Sequence, residues 1–395
     1  MKKRMAILVV WILVLSLSLV GCGGNTPVAP VDGNGGNASN DGDVIKIGIF
    51  EPVTGAYAAG GELEVEGIRL ANELYPEVLG KKVELVLADN KSDVVEAASA
   101  AARLVEKEKV TAIIGSWGSG LSIAAGDVIK GKAPAVAPSA TNPLVTKGND
   151  FYFRVCFIDP FQGTVMANYA ANNLKAKKAA IIQEVSNDYS IGLAKFFTDS
   201  FKELTGDANA IVEVANYQTG DQDFSAQLLN ISNKKPDVIF APGNFTESAL
   251  IIQQARQLGI DTPIIGGDTW ETPEFIEIGK EAVEGTVLST FFTSETPITK
   301  ESEKFLEAYR NKYGKEPAAV TALGYDAYLL ILDAIERAGT TDYDPLKNAI
   351  AQTKNFEGAA GVITLDENGD AVKDAILKIV KDGKFTYLDT IKPYN

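Results

Sequence analysis

Three short polar segments carry the residue types that could do chemistry, and each follows an apolar run. The first is Ile113-Ile114-Gly115-Ser116-Trp117-Gly118-Ser119-Gly120. Its glycines let backbone approach a ligand closely, and a helix opening there offers free N–H groups and a positive dipole end. A carboxylate or a phosphate suits such a turn, although a plain strand-to-helix connection has the same composition. The spacing is neither GxGxxG nor a P-loop and the segment has no lysine, which disfavours a nucleotide. The second is Ala137-Pro138-Ser139-Ala140-Thr141-Asn142-Pro143, with two hydroxyls at alternate positions in a proline-stiffened loop. It suits a small zwitterion and equally suits an ordinary turn. The third is Ile264-Ile265-Gly266-Gly267-Asp268-Thr269-Trp270. Taken alone, Asp268 reads best as the N-cap of a helix over 271–278. Taken together, the segments offer neutral donors for a carboxylate and a carboxylate for an ammonium. That pattern complements an α-amino acid, and charge-assisted bonds of this kind are the strong ones.

What the chain lacks narrows the chemistry further. Its 395 residues contain no histidine and two cysteines. No Ser-His-Asp or Cys-His relay can be built, no imidazole can ligate zinc, and two thiols cannot make a four-cysteine site. An enzyme would have to rely on lysine or carboxylate chemistry. The acids Asp188, Asp221, Asp223 and Asp326 read as solvated helix faces rather than catalytic pairs. Neither a metal nor a cofactor is implied. With 37 Lys plus Arg against 52 Asp plus Glu, the net charge is −15, which argues against a nucleic-acid partner.

The first 21 residues read as a leader. Lys2, Lys3 and Arg4 precede an apolar run that ends near Val20, too short to span a bilayer. The junction Leu19-Val20-Gly21-Cys22 resembles a bacterial lipobox, which implies diacylation of Cys22. Residues 22–43 are then rich in Gly, Asn, Pro and Asp. With almost nothing to bury, they are expected to form a tether reaching about 25 Å. Two acyl chains would anchor the body to a lipid bilayer where one would not. Cys156 is left unpaired and is expected to be a buried, inert thiol.

The body reads as α/β. Strand patterns fall at 44–50, 83–88, 110–115 and 134–136, with helices near 62–75, 94–107 and 119–131 between them. After 151–157 the rhythm restarts, with strands at 179–183, 210–216, 238–241 and 263–266. Helices are expected near 161–174, 189–204, 224–232 and 246–258. Strands separated by such helices imply two parallel sheets covered on both faces, hence two doubly wound lobes. A ligand would bind at the carboxyl ends of the strands, in the cleft between them.

From 44 to 393 the chain resembles the periplasmic-binding-protein type I group, in its leucine/isoleucine/valine-binding branch, which feeds ABC importers. The resemblance rests on Glu51-Pro52-Val53-Thr54-Gly55, Gly115-Ser116-Trp117-Gly118-Ser119, Pro138-Ser139-Ala140-Thr141-Asn142-Pro143, Gly266-Gly267-Asp268 and Ala322-Leu323-Gly324-Tyr325-Asp326-Ala327. It implies that Ser119 and Thr141 hold the ligand carboxylate, with Ala140 between the two hydroxyl-bearing loop residues. Ser139 would present its carbonyl to the ammonium, with Asp268 as counter-ion. Tyr189 and Tyr57 would line the cleft, and Tyr325 would lie on a helix near it. Three hinge strands are implied, with lobe one at 44–158 plus 291–371 and lobe two at 159–290 plus 372–395.

The chain also departs from the pattern. Asn244 stands where a tyrosine is often found, Trp117 occupies a wall position open to smaller aliphatic residues, and a disulfide seen in some members cannot form. The expected function is capture of a branched-chain or other aliphatic amino acid, delivered to ABC permease subunits in the membrane. The alternatives are a binding module for amides, ureas or aromatic acids, and a sensor for such ligands. Asp268 speaks against ligands that lack an ammonium.

Overall fold

The computed structural model describes residues 44–393. The leader, Cys22, the tether and the last two residues of the second lobe lie outside the described residues. Strands β1 (Val44–Ile49), β2 (Glu77–Val78), β3 (Lys81–Leu87), β4 (Ala112–Ile114), β5 (Ala135–Ala137) and β6 (Tyr152–Arg154) form one sheet in the order β2-β3-β1-β4-β5-β6. All neighbours are parallel except β2 and β3. Alternate residues of these strands enter two separate cores. Ile47, Ile49, Ala112, Ile114 and Val136 join one, and Ile113, Ala135 and Ala137 join the other. Burial on both faces explains why the strands read as continuous apolar runs.

The second sheet contains β7 (Ala179–Glu184), β8 (Ile211–Tyr217), β9 (Val238–Phe240), β10 (Ile264–Gly266) and β11 (Val287–Thr290), all parallel to their neighbours. A small antiparallel set, β12 (Phe356–Gly358), β13 (Gly361–Leu365) and β14 (Ala371–Val372), follows much later in the chain. Strands β15 (Ala375–Lys381) and β16 (Lys384–Ile391) then extend the second sheet antiparallel, giving the order β16-β15-β11-β10-β9-β7-β8. The chain therefore passes between sheets three times: after β6, after β11, and between β14 and β15.

Helices α1 (Ala58–Leu74), α2 (Val94–Ala102) and α3 (Ser119–Ile129) connect the first sheet. Helices α4 (Asp159–Asn168), α5 (Asp188–Thr205), α6 (Ser225–Asn233), α7 (Phe245–Gln257) and α8 (Pro273–Gly279) serve the second. Helices α9 (Lys300–Tyr313), α10 (Ala319–Ala338) and α11 (Tyr343–Ala351) follow the second crossing; α10 packs on the first sheet and α1, α11 on α10, and α9 on β12. α10 is apolar nearly all round and accordingly buried along most of its length. It crosses α1 closely, because a Cβ on Gly67 or Gly324 would strike the backbone of the partner helix.

The expected rhythm appears with boundaries shifted by one to four residues. The helix expected to open near 62 begins at Ala58, and that expected over 94–107 leaves α geometry after Ala102 for a wider turn.

Candidate functional site

A cavity of about 270 Å³ lies where the carboxyl ends of both sheets face each other. Seven expected residues line it: Tyr57, Trp117, Ser119 and Ser139 from the first lobe, and Tyr189, Asn244 and Asp268 from the second. The lobes touch across it. Asn142 Nδ2 donates to the Asp188 carbonyl at 2.9 Å, and the Trp117 and Phe245 rings meet edge to face at 6.2 Å.

Ser119 is the first residue of α3, entered through Gly118 at φ 92°, a left-handed conformation that glycine adopts without strain. The Ser119 oxygen accepts from the Asn142 backbone N–H at 3.1 Å, so its own proton is free to donate into the cavity. That hydroxyl and the free N–H groups of the helix start make one anion-binding corner. Ala140 and Thr141 sit directly behind the wall rather than on it. The Ala140 carbonyl accepts from Arg154 Nη1 at 2.6 Å, and Arg154 is itself paired with Asp370 at 2.6 Å. The hydroxyl of Thr141, buried and unsatisfied, lies beside the Asp159 carboxyl, whose two oxygens are also unsatisfied. Burial pushes Asp159 up to about 8.

Asp268 forms the opposite corner. It does not cap α8: Thr272 does, accepting from the Phe275 N–H at 3.3 Å. Instead Asp268 Oδ1 accepts from Gln162 Nε2 at 2.7 Å and from the Tyr189 hydroxyl at 2.9 Å. Those bonds leave Oδ2 uncommitted. Burial raises the Asp268 carboxyl to about 6, against the pull of its two donors, so it is ionised at neutral pH. A buried carboxylate with a free oxygen facing a cavity calls for a cation.

The wall between the corners is mixed. Trp117 tilts against Tyr57 at 5.5 Å and supplies apolar surface. Asn244 belongs to a polar cluster, its Nδ2 donating to Glu184 Oε2 at 3.1 Å, while Asn187 and Thr219 also bind Glu184. Tyr57 extends to this cluster from the other lobe, within reach of Thr219 and Asn187, and burial beside Glu184 raises its phenol.

Tyr325 requires a correction. Its hydroxyl donates to Glu301 Oε1 at 2.5 Å and its ring packs 5.0 Å from Phe305. It stands within the helical layer of the first lobe, away from the cavity wall, because α10 presents every face to protein. Cys156 is buried and its thiol is pushed up by burial, in line with an unreactive core residue. The expectations missed Gln162, Asp159, Glu184 and Phe245. Each is a single residue with a partner distant in sequence, although Glu184 also binds Asn187 nearby, and no local spacing marks it.

The Leu/Ile/Val-binding protein BraC3 of Rhizobium johnstonii is 34% identical over 82% of this chain and 88% of its own length. The solved leucine binding protein LivK of Thermotoga maritima is 48% identical, covers 88% of this chain and 99% of its own, and superposes with a TM-score of 0.86. LivJ of Streptococcus pneumoniae, a branched-chain amino acid transporter substrate binding protein solved with isoleucine, is 35% identical with a TM-score of 0.82. It covers 89% of this chain and all of its own. The family model described as periplasmic binding protein matches residues 44–384. With two parallel-sheet lobes, a cleft between them and solute binding as its work in place of catalysis, the chain belongs to the periplasmic binding protein family.

Proposed function

We propose that this chain captures a branched-chain or other aliphatic α-amino acid between its lobes and hands it to an ABC permease. The observation that carries the reading is the pairing of the Ser119 corner with the Asp268 corner across one cavity. Ser119 and the opening N–H groups of α3 bind the carboxylate, with Thr141 supporting them from behind. Asp268, oriented by Tyr189 and Gln162, receives the ammonium. Trp117 and Tyr57 enclose the side chain, and Asn244 borders it. The names of the relatives, which specify leucine, isoleucine and valine, support the aliphatic choice.

The lobes span 44–158 plus 291–371 and 159–290 plus 372–395, and they close about the three crossings as hinged bodies. Residues 1–21 are a leader, Cys22 carries the lipid, and 22–43 tether the body outside the membrane. The composition of that segment supports this reading. Among the described residues, no helix is long and apolar enough to cross a membrane.

A melting-shift screen of the twenty amino acids tests the reading, since a ligand that binds only the folded state raises the midpoint. Leucine, isoleucine or valine should give the largest rise. Stabilisation by neutral amides or benzoate, with none by any amino acid, would overturn it.

A further inference from the structure

Two acids outside the cavity wall lie immediately behind it. Glu51 follows β1, Glu64 sits on α1, and both are fully buried. Glu51 Oε2 accepts from the backbone N–H of Trp117 at 2.6 Å and from the Ser116 hydroxyl at 3.4 Å. Glu64 Oε1 accepts the hydroxyl proton of Ser139. Each acid therefore holds one of the two first-lobe loops that face the cavity. Their remaining oxygens, Glu51 Oε1 and Glu64 Oε2, have no other partner, and the two carboxyl groups lie against each other. The titratable groups acting on the pair from neighbouring elements are Tyr152 of β6 and, across the cleft, Asp268. Neither is a cation. The buried ion pairs of the described residues, Arg154–Asp370 and Lys378–Glu271, bond neither carboxyl, although Arg154 meets the same loop through the Ala140 carbonyl. Two touching carboxylates buried without a cation do not both ionise.

We propose that Glu64 stays protonated, donates to Glu51, and serves as a positioning residue that turns the Ser139 oxygen into an acceptor for the ligand ammonium. The inference rests on the reading of the cleft as an amino-acid site. Ser139 has one proton, and it is committed to Glu64, so only its lone pairs remain for the cavity it lines. Ser119 has the reverse polarity, because its oxygen is occupied by the Asn142 N–H and its proton is free. Two serines of one lobe thus present opposite polarities to one ligand, an acceptor for the ammonium and a donor for the carboxylate. Burial pushes both carboxyls above the ordinary carboxylate range, in keeping with one proton retained by the pair. The motif beginning Glu51-Pro52 thereby gains a physical role: its acid fixes the Trp117 loop and accepts the hydrogen bond from protonated Glu64.

The test has two arms on the full chain. Glutamine at position 64 reproduces protonated glutamate, with an N–H toward Glu51 and an oxygen for Ser139. In the first arm, unfolding of ligand-free protein is followed from pH 5 to 8. The folded parent keeps a proton that the unfolded chain releases, so its stability falls as pH rises, and Glu64→Gln should remove about one proton from that slope. Equal slopes overturn the retained proton. In the second arm, calorimetry measures leucine and isoleucine. Glu64→Gln should bind within about threefold of the parent and Glu64→Leu about tenfold more weakly. Glu64→Leu added to Ser139→Ala should cost nothing beyond Ser139→Ala alone. Unchanged affinity in Glu64→Leu, additive losses in the double variant, or a Gln variant as weak as the Leu variant each overturn the positioning role. The Gln variant decides the case even where the Leu variant does not fold. Should the parent bind neither amino acid, the functional reading fails, while the first arm still judges the proton.

Discussion

The hydroxyl of Tyr189 donates to Asp268 Oδ1 at 2.9 Å, joining the start of α5 to the turn after β10 across 79 residues of sequence. Gln162 of α4 meets the same oxygen, so two helices of the second lobe converge on one carboxylate. Such convergence fixes the orientation of the Asp268 carboxylate, which on the proposed reading receives the ligand ammonium.

Replacing Asp268 by alanine should weaken amino-acid binding by about 2–5 kcal/mol, because a buried ammonium would lose its counter-charge. Calorimetry reads this directly, and unchanged affinity would remove Asp268 from the site.

Ser119→Ala removes the free hydroxyl proton and the acceptor for the Asn142 N–H together. A hydrogen bond to a charged group contributes about 1.5–3 kcal/mol, so affinity should fall roughly tenfold or more. The melting midpoint without ligand should fall as well, because the buried Asn142 N–H loses its acceptor.

The pH dependence has a definite sign. Asp268 titrates near 6 when the cavity is empty, and only its ionised form pairs with an ammonium. Below that value the proton competes with the ligand, so affinity should fall about tenfold for each further unit of acidification. Above 7 it should be level until other groups titrate. Asp268→Asn should bind weakly and show no such slope when titrated at pH 7.5, 6.5 and 5.5.

Trp117 lines the cavity against Tyr57, so on the proposed reading it limits the side chain that fits. Trp117→Leu should weaken leucine while admitting larger side chains such as phenylalanine, with each change on the order of 1–3 kcal/mol. Competition binding with both amino acids checks the exchange, and an unaltered preference would move the specificity wall to Tyr57 or Asn244.

The sequence showed the turn at Trp117 to Ser119 because a buried strand, glycines and a helix start fall within eight residues. The hydroxyl loop at Ser139 was visible for a similar local reason. Asp268 was ambiguous from its own neighbourhood, where an acid before a helix usually caps it. Only the position of Thr272, four residues later, shows that the cap is supplied elsewhere. Ala140 and Thr141, expected among the ligand-binding residues, stand behind the cavity lining, in a loop pinned from the rear by Arg154. Tyr325 was drawn toward the cavity by its motif, whereas its partner Glu301 lies in another helix of the same layer. Gln162 and Glu64 left no trace, because a lone polar residue inside a helical pattern looks the same whether it meets solvent or a buried serine. Strands β11 to β16 carried no expectation of their own, and the second and third crossings came only through resemblance.

The most direct measurement compares leucine with two truncated analogues by calorimetry on the full chain at pH 7.5. One is 4-methylpentanoate, which lacks the ammonium, and the other is 3-methylbutan-1-amine, which lacks the carboxylate. If the lobes divide the two poles between them, both analogues should bind about a hundredfold or more weakly than leucine. Binding of 4-methylpentanoate as tight as that of leucine would contradict the account.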